Sequence, residues 1–223
     1  MIDFHTHLLP GVDHGSTSIE TSISQLDLAA SYGITTVVST SHFYPHHHSV
    51  NRFLEKRNAA FDNLIANKRP EHPEVILGAE VLLCEGMEKL AGLESLAIAD
   101  TGYILLEMPF NSFSSELVDT VYKINSNPKT KVILAHADRY SPSIIEELIE
   151  TGARIQLNAT AFSGILLPRQ ISSYLERDLV VALGSDLHGA TPKAYKNYLK
   201  AKRRLGSNFD RIMQHSKQIL GIN

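Results

Sequence analysis

The sequence holds no tryptophan and a single cysteine, Cys84. One thiol cannot close an intrachain disulfide, so no cystine framework supports this fold and a reducing compartment is expected. Cys84 sits within the apolar stretch EVLLCEG, where a small buried hydrophobe needs no chemical role. Also lacking is any run near the ~18 consecutive apolar residues of a membrane span. The N-terminus carries no basic segment followed by a long apolar core, so neither membrane insertion nor a cleaved leader is expected. Charge is balanced: 21 Lys and Arg stand against 24 Asp and Glu, a net of −3. With no basic surplus to neutralise phosphate backbones, nucleic acid is not an expected partner. A cytoplasmic protein is expected.

What is present is a chain of 223 residues, 43% hydrophobic, which suits one α/β domain spanning residues 1–223. Seven short β-branched or aliphatic runs recur: Ile2–Phe4, Thr35–Thr40, Val75–Ala79, Tyr103–Leu106, Lys131–Ala135, Arg154–Asn158 and Val180–Ser185. Longer amphipathic segments separate them, the pattern of βα units around a parallel sheet. In STSIETSISQLDLAASYG, Thr17 and Glu20 fit a capping box, Ile19, Ile23, Leu26 and Ala30 share a face, and Gly33 stops the helix. In SPSIIEELIETG, Ser141 is the N-cap, Pro142 opens the first turn and Gly152 ends it. Weaker helical patterns cover residues 50–67, 115–125, 168–177, 192–204 and 210–220.

The residues that follow each run carry the chemistry: His5 and His7, His42, Glu80, Glu107, His136, then Asp186 and His188. A lone histidine after a strand is more often a hydrogen-bonded residue than a ligand, and a lone carboxylate there is commonly a helix cap. So many concurrent placements point instead to a metal centre. The C-terminal ends of parallel barrel strands converge on one face, and alternate strand residues point the same way, so His5 with His7, and Asp186 with His188, each offer two donors to one place. These groups exceed the four ligands of a tetrahedral zinc and suggest two or three ions. Mixed imidazole and carboxylate ligation suits manganese, iron or zinc, with cobalt or magnesium as alternatives. His46, His47 and His48 are read as a solvated loop at the cleft rim, Phe43 and Tyr44 as lining the mouth, and Tyr195 and Tyr198 as packing residues. Asn158 either faces the site or caps the next turn.

The blocks HTH, STSH, GAE, LLEMPF, LAHADRY and GSDLH, in order from residue 2 to residue 188, resemble the PHP (polymerase and histidinol phosphatase) superfamily. More narrowly they are similar to its bacterial capsule and exopolysaccharide branch of manganese-dependent protein tyrosine phosphatases. The resemblance implies a distorted (β/α)7 barrel with a trinuclear site. His5, His7 and Asp186 would hold one ion with Glu80, which bridges to a second held by Glu107 and His136. The third would lie among His42, His188 and either Asp13 or His14, because this chain reads DHG where relatives often read DDG. A second departure is GATPKAY after SDLH, where Lys193 stands in place of an arginine and lacks its planar two-donor fork.

The chemistry expected is phosphotyrosine hydrolysis by a metal-activated hydroxide, with a tyrosine-phosphorylated protein as substrate. The resemblance implies that the substrate is a bacterial tyrosine kinase of capsule or exopolysaccharide synthesis. Arg139 is placed to clamp a phosphate oxygen. A phenolate leaves readily, since its conjugate acid has a pKa near ~10, so little general acid is needed; His42 or His188 would supply one. The alternatives are a small-molecule phosphomonoesterase such as histidinol phosphatase, and a metal-binding module without turnover.

Overall fold

The structure, a computed structural model, describes residues 1–109 and 113–222; Phe110, which closes the LLEMPF block, lies outside the described residues. All seven runs form strands, and three of them are followed after a short gap by a second, shorter strand. They are β1 (Ile2–His7), β2 (Thr36–Ser39) continued by β3 (His42–Phe43), β4 (Glu74–Leu77) continued by β5 (Glu80–Leu82), β6 (Tyr103–Glu107), β7 (Lys131–Leu134), β8 (Arg154–Asn158), and β9 (Val180–Gly184) continued by β10 (Leu187–His188).

Every pairing is parallel. One sheet has the order β10-β1-β2-β4 and the other β3-β5-β6-β7-β8-β9. Because β3 follows directly on β2, and β5 on β4, the two sheets form one sequence of neighbours. The last run returns to the first through β10, with Thr6 opposite Leu187 and His7 opposite His188. The backbone N–H of Asp186 also donates to the His5 carbonyl at 2.9 Å. Seven runs thus follow one another around a ring, the distorted barrel expected from the sequence. Its breaks fall immediately before His42, Glu80 and Leu187, so the strand direction changes where functional side chains begin.

Strand alternation sorts the core into two layers. Ile104 and Leu106 of β6 and Val132 and Leu134 of β7 join the large cluster under the helices, whereas Leu105 and Ile133 meet Phe4 and Val38 in a smaller inner cluster. Inward side chains fill such a barrel rather than leaving a pore. Glu107, two residues after Leu105, inherits the inward direction.

Among the described residues seven helices pack around the strands: α1 (Ile19–Ser31), α2 (Val50–Asn67), α3 (Ser115–Ser126), α4 (Pro142–Glu150), α5 (Arg169–Glu176), α6 (Pro192–Leu205) and α7 (Ser207–Leu220). The start of α1 corrects the expected box. Ser18, not Thr17, is the N-cap, and its hydroxyl accepts from Thr21 N at 3.3 Å. The buried face of α1 is correspondingly Ser22, Gln25, Leu26 and Ala29. No helix joins β5 to β6; short 3-10 turns at Met87–Lys89 and Leu93–Leu96 take its place. No described helix is long and apolar enough to cross a membrane.

Candidate metal centre

His5 and His7 lie on the buried floor of a cleft at the C-terminal end of the strands, both 0% exposed. Each ring is fixed from behind through Nδ1. His5 Nδ1 meets Gln156 Oε1 at 3.1 Å and His7 Nδ1 meets Asp13 Oδ2 at 2.9 Å. Gln156 Nε2 donates to Leu157 O and to Asn158 Oδ1, so its Oε1 is an acceptor and His5 carries its proton on Nδ1. The carboxylate of Asp13 orders His7 in the same way. Both Nε2 lone pairs therefore point forward into one space, where they stand 3.2 Å apart.

Carboxylate oxygens enter that same space. Glu80 Oε2 lies 3.1 Å from both Nε2 atoms, and Asp186 Oδ1 lies 3.7 Å from His5 Nε2 and 3.3 Å from His7 Nε2. Donors about 2.1 Å from one tetrahedral ion stand roughly 3.4 Å from each other, so these four fit a shared divalent cation. Further round, Glu80 Oε1 is 2.7 Å from His136 Nε2, and Glu107 Oε1 is 3.6 Å from the same nitrogen. His42 Nδ1 is 3.2 Å from Glu80 Oε2 and 3.5 Å from Glu107 Oε2. The two oxygens of Glu80 thus serve two groups of donors. His188 donates Nδ1–H to the Asp186 carbonyl at 3.0 Å, while its buried Nε2 has no hydrogen-bond partner among the described residues. An orphaned imidazole nitrogen beside the His42 and His7 rings is a further open donor.

The electrostatics express the same crowding. Burial opposes charge on His7, but bonds to Asp13, Asp186 and Glu80 together outweigh it and raise its pKa well above the ordinary value. Burial, then the charge of Glu80, pushes Glu107 up to about 7. Glu80 is held well below the carboxylate range because His5, His136 and His7 together overcome its burial. Burial lowers His42 to about 4 and also lowers His188.

Two of these residues adopt backbone conformations that L side chains rarely take: His136 has φ 33° and Asp186 φ 54°. Such strain concentrates where a side chain must be aimed against local preference. Glycine makes room at two other points. A Cβ on Gly184 would come within 2.5 Å of His5 Cβ, and one on Gly15 within 2.0 Å of His7 Cβ. These glycines let β9 and the DHG turn close against β1.

The remaining sequence candidates separate clearly. Asp13 turns both oxygens away from the cleft: Oδ2 accepts from His7 Nδ1 and from His42 N at 3.0 Å, and Oδ1 accepts from Gly15 N at 2.9 Å. His14 is exposed and lines the cleft, its ring 5.0 Å from His42 and 4.6 Å from His188 by centroid. Arg139 lines the cleft and pairs with Asp186 Oδ2, which Asn158 Nδ2 also reaches at 3.1 Å. Asn158 therefore faces the site. Lys193 is exposed in the first turn of α6 and is not among the lining residues. Tyr44 lines the cleft, whereas Phe43 does not reach the mouth; it is fully buried against Phe53. His46, His47 and His48 are exposed, and Tyr195 and Tyr198 are buried.

Sequence reasoning missed Gln156, 0% exposed, whose Oε1 also accepts from His136 N at 2.7 Å. One signal was available: within RIQLN, Gln156 and Asn158 are polar at alternate positions of an otherwise apolar strand.

A parallel α/β barrel with imidazole and carboxylate donors gathered at its strand ends defines a metal-binding hydrolase-type scaffold. The chain belongs to the capsular polysaccharide synthesis family CpsB/CapC, whose model matches residues 1–219. It is 30% identical over 211 residues to the tyrosine-protein phosphatase YwqE of Bacillus subtilis, covering 87% of this chain and 80% of that one. It is 29% identical over 208 residues to the tyrosine-protein phosphatase CpsB of Streptococcus pneumoniae, with 84% and 83% covered. A chain from the crystal structures of those two proteins, described as metal-dependent tyrosine phosphatases, shares the fold with a TM-score of 0.78 at 22% identity, over 100% of this chain and 96% of that one.

Proposed function

We propose that this protein is a metal-dependent phosphatase that hydrolyses phosphotyrosine on proteins, with manganese as the ion. The observation that carries the reading is the convergence of His5, His7, Glu80 and Asp186 on one space at 3.1–3.7 Å, with Glu80 shared towards His136. Membership of a family with curated tyrosine phosphatases supports the substrate class. The ligand assignment we favour is His5, His7, Glu80 and Asp186 for one ion, Glu80, Glu107 and His136 for a second, and His42, His188 and His14 for a third. Asp13 is then an orienting residue behind His7. We also read residues 1–223 as one domain, since the ring draws on both the first and the last runs.

Divalent ions bound there supply Lewis acidity towards a phosphoryl oxygen and lower the pKa of water. The protein's own part is positional. The cleft, about 860 Å³, is wide enough to admit an aryl phosphate, and Tyr44, stacked on His42 at 5.3 Å, offers an aromatic wall to a phenyl ring. Arg139 keeps Asp186 in place with one amino group and has N–H donors left to bind a phosphate oxygen. His42, lowered to about 4, is neutral near pH 7, the form a ligand needs rather than the form of a proton donor. A phenolate leaving group, with a conjugate-acid pKa near ~10, departs without one. An alkyl phosphate such as histidinol phosphate does not, and on this site it turns over more slowly.

The test combines metal content with turnover. After metal stripping and manganese restoration, p-nitrophenyl phosphate and phosphotyrosyl peptides should be hydrolysed, with phosphoseryl peptides and histidinol phosphate at least ~100-fold slower in kcat/KM. His136→Ala should abolish turnover while the protein still melts cooperatively. Full activity in His136→Ala, or histidinol phosphate as the better substrate, overturns the reading.

A further inference from the structure

Ile165 and Leu166 are 97% and 83% exposed, the most exposed large hydrophobic side chains among the described residues. They stand at the tip of the loop that leaves the C-terminal end of β8, the end at which the cleft opens. The tip is held in place. Lys200 Nζ donates to the Ser163 carbonyl, and the Arg204 guanidinium donates to the carbonyls of Phe162, Gly164 and Ile165.

Those two cations belong to α6, PKAYKNYLKAKRRL, which has six Lys and Arg and no acid in 14 residues within a chain of net charge −3. At 100° per residue, Lys193, Lys196, Lys200, Arg203 and Arg204 fall within an arc of roughly 100°. The apolar face of the helix, Tyr195, Tyr198, Ala201 and Leu205, is already buried in the protein. The helix thus presents a basic stripe to solvent, and the loop it grips adds a paired aliphatic prong.

We propose that this prong and stripe dock the protein on an anionic lipid surface. Cations near a bilayer attract acidic headgroups, and short aliphatic side chains insert among the acyl boundary groups; each element alone is weak and the pair is effective. The alternative occupant, a second copy of this chain, is poorly matched. Two side chains fall far short of the roughly 800 Å² per partner that a stable interface buries, and two copies would bring like-charged stripes together. This surface lies outside the metal centre, and its occupancy does not depend on the reaction proposed above.

The full chain would be sedimented with vesicles of phosphatidylcholine alone, or containing about one-third phosphatidylglycerol. Binding is expected on the anionic vesicles only, weakening at least tenfold at ~0.5 M salt as charges are screened. The double variant Lys196→Gln/Arg203→Gln leaves the loop's anchors intact and should lower partitioning roughly 25-fold, about fivefold per cation. Ile165→Ser/Leu166→Ser should lower it at least tenfold. Cooperative thermal melts and unchanged p-nitrophenyl phosphate turnover in both variants show that the fold is intact. Equal binding to neutral vesicles, no binding by the unaltered chain, or indifference to either pair of substitutions overturns the proposal. So does a concentration-dependent dimer that the serine pair dissolves. If the unaltered chain turns over no aryl phosphate, the phosphatase reading fails while the vesicle result still stands.

Discussion

Removing the carboxylate of Asp13 separates an orienting residue from a ligand. In Asp13→Ala, three donors lose their acceptor: His7 Nδ1, His42 N and Gly15 N, at 2.9, 3.0 and 2.9 Å. At roughly 1 kcal/mol each for such donors, and about 2–4 °C per kcal/mol for a chain of this size, the melting temperature falls by roughly 6–12 °C. Freed from its partner, the His7 ring loses both orientation and tautomer, which costs about 10–100-fold in metal affinity. The full complement of ions should nevertheless bind once metal is in large excess, because no ligand atom has gone. His14→Ala is the complementary case. The exposed His14 side chain has little to do with stability, so the melting temperature should stay within about 2 °C while one ion per chain is lost even at saturation. Calorimetric titration gives the affinities, and elemental analysis after gel filtration in saturating metal gives the counts. Should Asp13→Ala lose an ion while His14→Ala keeps them all, the reasoning from Asp13's three hydrogen bonds is wrong.

Three further outcomes follow from the same geometry. Gln156→Leu strands His5 Nδ1 and His136 N and should weaken metal binding about 10–100-fold, whereas Gln156→Glu keeps an acceptor and stays near the unaltered protein; calorimetry decides, and equal affinities in both would exclude an orienting role. Metal binding should release protons. Glu107, near 7 without metal, holds a proton below that pH which must leave when the carboxylate ligates, so affinity rises with pH through about 7, and a pH-independent affinity between about pH 6 and 7 refutes this. Stripping metal should destabilise the fold: at a free ion concentration a hundredfold above Kd, binding contributes about 2.7 kcal/mol, or roughly 5–11 °C in thermal melts, and identical melts with and without chelator would contradict it.

The parts of this arrangement visible in the sequence share a physical cause. His5 and His7 could be paired because strand alternation is strict, and Glu107 and His136 stood out because a charged or ring-nitrogen side chain after an apolar run has few reasons to be there. The helices were legible wherever punctuation was strong, as with Pro142 and Gly152 around α4. The choice between Asp13 and His14 was not legible, since adjacent loop residues share no periodicity; His14 is favoured by the three-way hydrogen bonding of Asp13, which only the fold displays. Nor was the break of three strands, which depends on sheet curvature rather than on local propensity. Gln156 escaped notice because a neutral amide in a buried strand usually only satisfies its neighbours.

The pairing of β10 with β1 has a consequence for how the protein is made. His5 is synthesised long before Asp186, so the ring stays open and the donor set incomplete until the seventh run has emerged. Contacts of such long sequence separation form late and slowly, which leaves the edge of β1 exposed throughout synthesis. The donors are therefore gathered only once β10 docks on β1, and the edge of β1 is the part of the growing sheet that waits longest for its second neighbour.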